Sequence, residues 1–363
     1  MHRRWISLLC CATATIALSG AAERRTENVV FVMTDGLRWQ EVFSGADAAF
    51  MDKAHGGVED ADALKQAYWR ETFDDRRLAL LPFLWGVMAK QGQLWGNRRE
   101  GSDAWVTNGF NFSYPGYNET LSGYPDPRVK SNDKIPNPNV TVFEWLNGKP
   151  GFRGKVAAFG SWDVFPSIFN VERAGFLVNS GYDPLTVAPV TPAIALLNRV
   201  KTETRVWGGE AYDSFLFHTM LEYVKLHKPR VLFVGLGDTD EFAHAGRYDL
   251  YLDAAHRADA YVKELWETLQ SMKEYRGKTS LIFTPDHGRG EGPEWKSHGE
   301  KVPDSKNTWL SFMGPDTKAL GERKNVAGVT QSQIAATLAG LLGEDYDAAV
   351  PKAGKPISDV LGR

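Results

Sequence analysis

The sequence predicts an α/β fold: a doubly wound, largely parallel central sheet with helices on both faces and a loop-rich insertion over one end. Two observations predict it. Short apolar, β-branched runs at 28–33, 155–159, 230–236, 279–284 and 309–313 lack polar alternation, the pattern of strands buried on both faces. Between them lie helix-patterned stretches at 211–227 and 248–273, the second with Leu252, Ala255, Ala258, Val262 and Trp266 at helical spacing. Strands alternating with helices close as a parallel sheet.

The chain starts Met1-His2-Arg3-Arg4, runs through an apolar stretch at 5–18, and reaches Ser19-Gly20-Ala21-Ala22. That is the layout of a secretory signal over residues 1–22, cleaved near Ala21 or Ala22, and implies a secreted or periplasmic product. Arg3-Arg4 also fits a twin-arginine leader. The apolar stretch is shorter than the roughly 20 residues a span needs, so no membrane span is expected in the mature protein. Both cysteines, Cys10 and Cys11, fall in this segment. The mature chain then has no disulfide or thiol chemistry, and any metal site must use His, Asp, Glu or hydroxyl ligands.

Residues 23–363 read as one domain. The 43% apolar and 12% aromatic composition can bury a large core. With 42 basic and 45 acidic side chains the net charge is −3, which offers no field for a nucleic-acid polymer or an anionic membrane. The expected partner is a small molecule met at a local site. Residues 96–139 change character, becoming rich in Gly, Asn, Pro, Ser and Tyr, with turn signals such as Tyr114-Pro115-Gly116. A polar insertion this long is usually functional surface. Its aromatics, Trp105, Phe110, Phe112, Tyr114, Tyr117 and Tyr124, suit either a pocket wall or packing.

Three apolar runs end in acid: the first in Asp35-Gly36, the third in Asp238 and Asp240, the fourth in Asp286-His287-Gly288. Ligands of open α/β sheets bind beyond the carboxyl ends of strands, so these acids should converge at one rim. Converging carboxylates repel unless cations neutralise them. Histidine is scarce, eight in the chain, yet His244 follows Asp240 by four residues, His287 adjoins Asp286, and His298 follows in a Gly-rich loop. This mixed N/O set suits zinc or manganese. His55, His218, His227 and His256 lie in ordinary loop or helix patterns. The nucleophile must be a hydroxyl or water, and on chemistry alone Ser113 is one serine among several.

These residues resemble the alkaline phosphatase superfamily, closest to its nucleotide pyrophosphatase/phosphodiesterase-like branch. The matching pieces are Asp35-Gly36, the stretch from Ser113 through Gly123 to Pro125, Asp240 with His244, Asp286-His287-Gly288, and His298-Gly299, in family order. The resemblance implies a two-metal hydrolase of phosphoric esters acting through a phosphoserine on Ser113. One divalent metal would take Asp35, Ser113, Asp286 and His287, and the other Asp240, His244 and His298. Asp240 is preferred to Asp238 because the family pattern places Asp four residues before His.

The resemblance also makes Asn132 a candidate for a phosphoryl-oxygen contact, and Ser161 and Asp163 candidates for facing substrate. It departs from the sulfatases at Tyr117, where they carry Arg, and in having a single Asp after the first strand. It departs from the phosphodiesterases in having Ser113 and Gly116 where they usually carry Thr and Asn. A sulfatase, a phosphonate hydrolase or a catalytically silent metal-binding member are the alternatives.

Overall fold

The computed structural model describes residues 24–362, so the signal segment and both cysteines lie outside the described residues. Among the described residues ten strands are formed: β1 Asn28–Thr34, β2 Gln93–Trp95, β3 Ala104–Trp105, β4 Val156–Gly160, β5 Leu177–Ser180, β6 Val231–Leu236, β7 Thr279–Pro285, β8 Leu310–Met313, β9 Gly321–Glu322 and β10 Val329–Thr330. The helices that matter for the site and its support are α1 Ser113–Ser122, α2 Pro192–Glu203, α3 Asp213–His227, α4 Asp238–His244, α5 Tyr248–Ser271 and α6 Ile334–Leu341.

The main sheet runs β5-β4-β6-β1-β7-β8-β2-β9. From β5 to β7 every pairing is parallel, and β8 then pairs antiparallel with both β7 and β2. The expected mixed α/β fold with a largely parallel sheet is the one formed, and each of the five apolar runs is a strand.

The unalternating runs make sense once their two faces are separated. Val30 and Val32 of β1, Leu232 and Val234 of β6, and Leu281 and Phe283 of β7 join one apolar layer with α3 and α5. Their chain neighbours Val29, Phe31, Phe233 and Ile282 join a second layer with α1 and α6. Successive side chains of a strand point to opposite faces, so a strand covered on both sides needs an apolar residue at each position. Where Phe165 crosses the second layer, β4 and β6 carry Gly160 and Gly235: a Cβ there would stand 1.9 and 2.4 Å from its ring.

The insertion departs from expectation. Its centre is α1, and all ten residues of that helix are buried. Tyr114-Pro115-Gly116 reads as a turn but lies in the first helical turn, where proline's missing N–H costs nothing. The polar residues of α1 are satisfied inside the protein. Glu119 accepts from the N–H and Oγ1 of Thr107 and from the N–H and Nδ2 of Asn108 at 2.8–3.0 Å. Asn118 Oδ1 accepts from Asn139 at 2.9 Å. Among the described residues no helix is long and apolar enough to cross a membrane.

Candidate metal centre

Because β6, β1 and β7 are adjacent and parallel, their carboxyl ends open side by side. Asp35 follows β1, Asp286-His287 follows β7, and α4 begins right after β6, placing Asp240 and His244 one helical turn apart on one face. α1 meets this rim with its N-terminus and places Ser113 there. Gly116 lets the helix approach, since a Cβ at that position would lie 2.4 Å from the Asp286 carbonyl oxygen.

Two ligand clusters result. In the first, Ser113 Oγ lies 3.4 Å from Asp35 Oδ1 and 3.4 Å from His287 Nε2. His287 Nε2 is 3.2 Å from Asp35 Oδ1 and 3.6 Å from Asp286 Oδ2. In the second, His244 Nε2 is 2.9 Å from His298 Nε2 and 3.1 Å from Asp240 Oδ2. The clusters touch: the His287 and His298 rings stack with centroids 4.1 Å apart. All seven residues read from the sequence as ligands are therefore brought together. Asp240 lies in this cluster, whereas Asp238 turns away to accept from the Asp213 N–H and from Arg257.

The donor set fits divalent cations. Asp286 Oδ1 accepts from the Gly36 and His287 N–H groups, while the buried Oδ2 has no hydrogen-bond partner. An orphaned carboxylate oxygen beside a second carboxylate is costly unless a cation meets it. His287 Nδ1 is 2.8 Å from the Gly288 carbonyl oxygen, and His298 Nδ1 is 3.3 Å from that of Asn111. Each Nδ1–H then donates to a carbonyl and leaves Nε2 with its lone pair free for a metal.

Burial and mutual charge shift these groups in both directions, and a cation taken up at His287 would have to displace its proton. Burial, then the charge of Asp35, pushes Asp286 well above the carboxylate range. Burial works against the charged form of His287, but Asp286 and Asp35 outweigh it and bring that histidine up to about 9. Burial, with His287 and Arg289 nearby, pulls His298 down, and burial also lowers His244.

The remaining predicted residues fall differently. Asn132 is exposed, and its Oδ1 accepts from the N–H of Tyr114, next to Ser113, at 3.0 Å. Ser161 does not face a substrate: it is fully buried and donates to Glu210 Oε1 at 3.1 Å, because its own turn follows β4 under the α3 entrance. Asp163 is held by Lys134 at 2.7 Å in place of open contact. His55 pairs with Asp52, His256 meets the Leu80 carbonyl, and His227 stacks on Tyr223.

Sequence reasoning gave one group at the rim no contact with the ligands and missed another. Tyr117, one turn after Ser113, is buried and donates to Asp35 Oδ2 at 3.3 Å. Arg289, buried beneath the rim, forms a close ion pair with Asp240, and burial pulls its guanidinium down to about 9. Helical spacing from Ser113 could have flagged Tyr117. Arg289 carried no such signal. Of the insertion's aromatics, Tyr114, Tyr117 and Tyr124 are buried, while Phe110 and Phe112 are half-buried beside Ser113 with ring centroids 5.9 Å apart.

No protein-family model and no curated protein matches the chain. Solved structures do. The lipoteichoic acid synthase LtaP from Listeria monocytogenes superposes with a TM-score of 0.55 at 14% identity, over 93% of this chain and 76% of that one. A phosphonate monoester hydrolase from Silicibacter pomeroyi gives 0.57 at 14% identity, over 93% and 77%. A protein of the alkaline phosphatase superfamily from Vibrio parahaemolyticus gives 0.52 at 14% identity, over 88% and 67%. At such identities the likeness is one of fold, and the fold of this chain is the mixed α/β architecture of alkaline phosphatase superfamily structures.

Proposed function

We propose that the protein is an exported, metal-dependent hydrolase of small phosphoric esters, a phosphodiesterase or phosphomonoesterase, with Ser113 as nucleophile. The observation that carries this is the placement of Ser113 Oγ 3.4 Å from both Asp35 Oδ1 and His287 Nε2, at the N-terminus of a buried helix. Two divalent cations, zinc or manganese, would be held by Asp35, Ser113, Asp286 and His287 and by Asp240, His244 and His298. When bound they neutralise the carboxylates and lower the pKa of the attacking hydroxyl.

The chain's own residues supply position. α1 aims Ser113 Oγ from the sheet rim, and its first turn adds partial positive charge where phosphoryl oxygens gather. Ser113 Oγ, its proton given up to water, attacks phosphorus, the bond to the leaving oxygen breaks and that oxygen takes a proton from water, and a phosphorylated serine forms that keeps the second ester when the substrate is a diester. Water then attacks phosphorus from the other side, breaks the bond to Ser113 and restores the serine. Tyr117 keeps Asp35 in place, and Asn132 stands beside the nucleophile with an amide for a phosphoryl oxygen. Phe110 and Phe112 would wall the leaving group.

The groups that meet Ser113 and Asp35 are neutral or acidic apart from His287, which favours a singly charged diester over a doubly charged monoester. A sulfatase or phosphonate hydrolase is the second reading, supported by the phosphonate monoester hydrolase among the fold neighbours. Tyr117, neutral where sulfatases carry Arg, speaks against sulfate. The test is metal-reconstituted protein assayed side by side on aryl phosphate diester, monoester, phosphonate and sulfate. Diester turnover should exceed the rest, and inactivity on all four would sink the proposal in favour of a silent metal binder.

A further inference from the structure

Arg289 is the one Lys or Arg, among the described residues, paired with a carboxylate of the seven-residue set. It is 1% exposed, two residues after His287. Its Nε donates to the Gly36 carbonyl at 3.2 Å, one terminal nitrogen to the Lys296 carbonyl at 2.7 Å, and the other to the Asp240 carbonyl at 3.2 Å and to Asp240 Oδ1. These partners lie on the segments that carry Asp35, His298 and Asp240. Gly36 leaves the room: it sits at φ +60°, and a Cβ there would stand 2.8 Å from Arg289 Nε and 2.9 Å from Asp240 Oδ1.

The guanidinium therefore touches only one of the two clusters, although its charge also reaches Asp35. Asp35 and Asp286 are met by His287, by neutral hydroxyls and by backbone N–H groups, and Asp286 keeps an oxygen with no partner. Asp240 is the single carboxylate of its cluster. Its Oδ1 is engaged by a buried guanidinium, and its Oδ2 faces His244. A dication bound there meets the guanidinium's repulsion at short range. His244, with a side chain 48% exposed, opens that cluster to solvent.

We propose that Arg289 is a positioning residue that makes the two cation sites unequal, holding Asp240 to one free oxygen and sharing its charge. The cation on Asp240, His244 and His298 is then held weakly and exchanges, while the cation on Asp35, Asp286 and His287 is retained. This rests on the two-cation reading above.

The test is calorimetric titration of the metal-free full chain with Zn²⁺, which reads each dissociation constant without reference to turnover. Two equivalents are expected, the second weaker by about tenfold or more. His298→Gln should abolish the weaker equivalent and leave the stronger. Arg289→Gln should tighten the weaker equivalent by about tenfold while the stronger stays within about threefold, and Arg289→Lys should keep the gap. Equal affinities in the unaltered chain would overturn the proposal and leave the two-cation reading standing, a result that needs no variant to fold. A glutamine variant that shifts both constants alike, or neither, would also overturn it, the first because Arg289 would then be a general prop. No uptake of Zn²⁺ at all would overturn the two-cation reading itself.

Discussion

Ser113 Oγ stands 3.4 Å from Nε2 of His287, although 174 positions of chain separate the two residues. If this serine attacks phosphorus, Ser113→Ala should lower kcat by on the order of 10³-fold or more with little change in stability. A steady-state assay on an aryl diester, with acid-quench detection of a phosphorylated serine, checks it. Full turnover by the alanine protein would exclude the assignment.

If the rim holds cations as proposed, removing them should destabilise as well as inactivate. A ligand present at a thousandfold its dissociation constant contributes about 4 kcal/mol, so chelation should lower Tm by several degrees and readdition of Zn²⁺ or Mn²⁺ should restore it. Asp286→Asn should abolish most of that response, because it removes the carboxylate whose Oδ2 is otherwise unpartnered. A chelator-insensitive Tm would count against any tightly bound metal.

The insertion depends on Glu119. Its carboxylate collects the N–H groups of Thr107 and Asn108, and burial pushes its pKa up. Glu119→Gln sets an NH₂ against those donors and should cost about 1–3 kcal/mol. The urea midpoint reads the loss, and limited proteolysis should show earlier cleavage within 96–139. An unchanged midpoint would mean that the insertion is held by its apolar contacts alone.

Lys201 on α2 gives a pH signature remote from the site. It is fully buried, its Nζ donates to the Asp183 carbonyl at 2.6 Å, and burial lowers its pKa to about 8 from an ordinary 10.5. The unfolded chain keeps this proton at pH values where the folded chain has released it. Stability from this group is therefore absent below about pH 8 and grows as pH rises to about 10.5. The gain is on the order of 3 kcal/mol. Lys201→Met should remove it, so the difference between variant and unaltered urea midpoints should change across that window and be flat below it. A difference that stays constant with pH would refute the shift.

The core admits a sharper probe at Gly235. An alanine there would press its Cβ to 2.4 Å from Phe165 and 3.1 Å from Phe233. Gly235→Ala should cost about 1–3 kcal/mol by overpacking, and Phe165→Leu should relieve part of it. Additive losses in the double variant would refute that coupling.

What could be read from the sequence follows the strength of each local signal. β1, β6 and β7 were legible because a strand covered on both faces must be apolar throughout. Asp240, His244, Asp286, His287 and His298 were legible because histidine is scarce and stands beside acid at strand ends. α1 was not, since Tyr114-Pro115-Gly116 has the same letters in a turn as in a first helical turn. Ser161 was misplaced because its burial depends on Glu210, which lies 49 residues away. Arg289 was invisible for a related reason: an arginine in a glycine-rich loop reads as solvated surface, and its carbonyl partners Gly36 and Asp240 lie 253 and 49 residues away.

The side-by-side ends of β6, β1 and β7 also set when the site can exist. The Gly36 N–H that fixes the Asp286 carboxylate comes from 250 residues away, and the Asp35 carbonyl is met by Thr239 from 204 away. No local segment contains enough donors to hold a metal by itself, and pairings of this range form slowly because so much chain must be ordered first. Cation uptake during refolding would then time the closing of the central sheet, making the metal a reporter of completed topology and not its template.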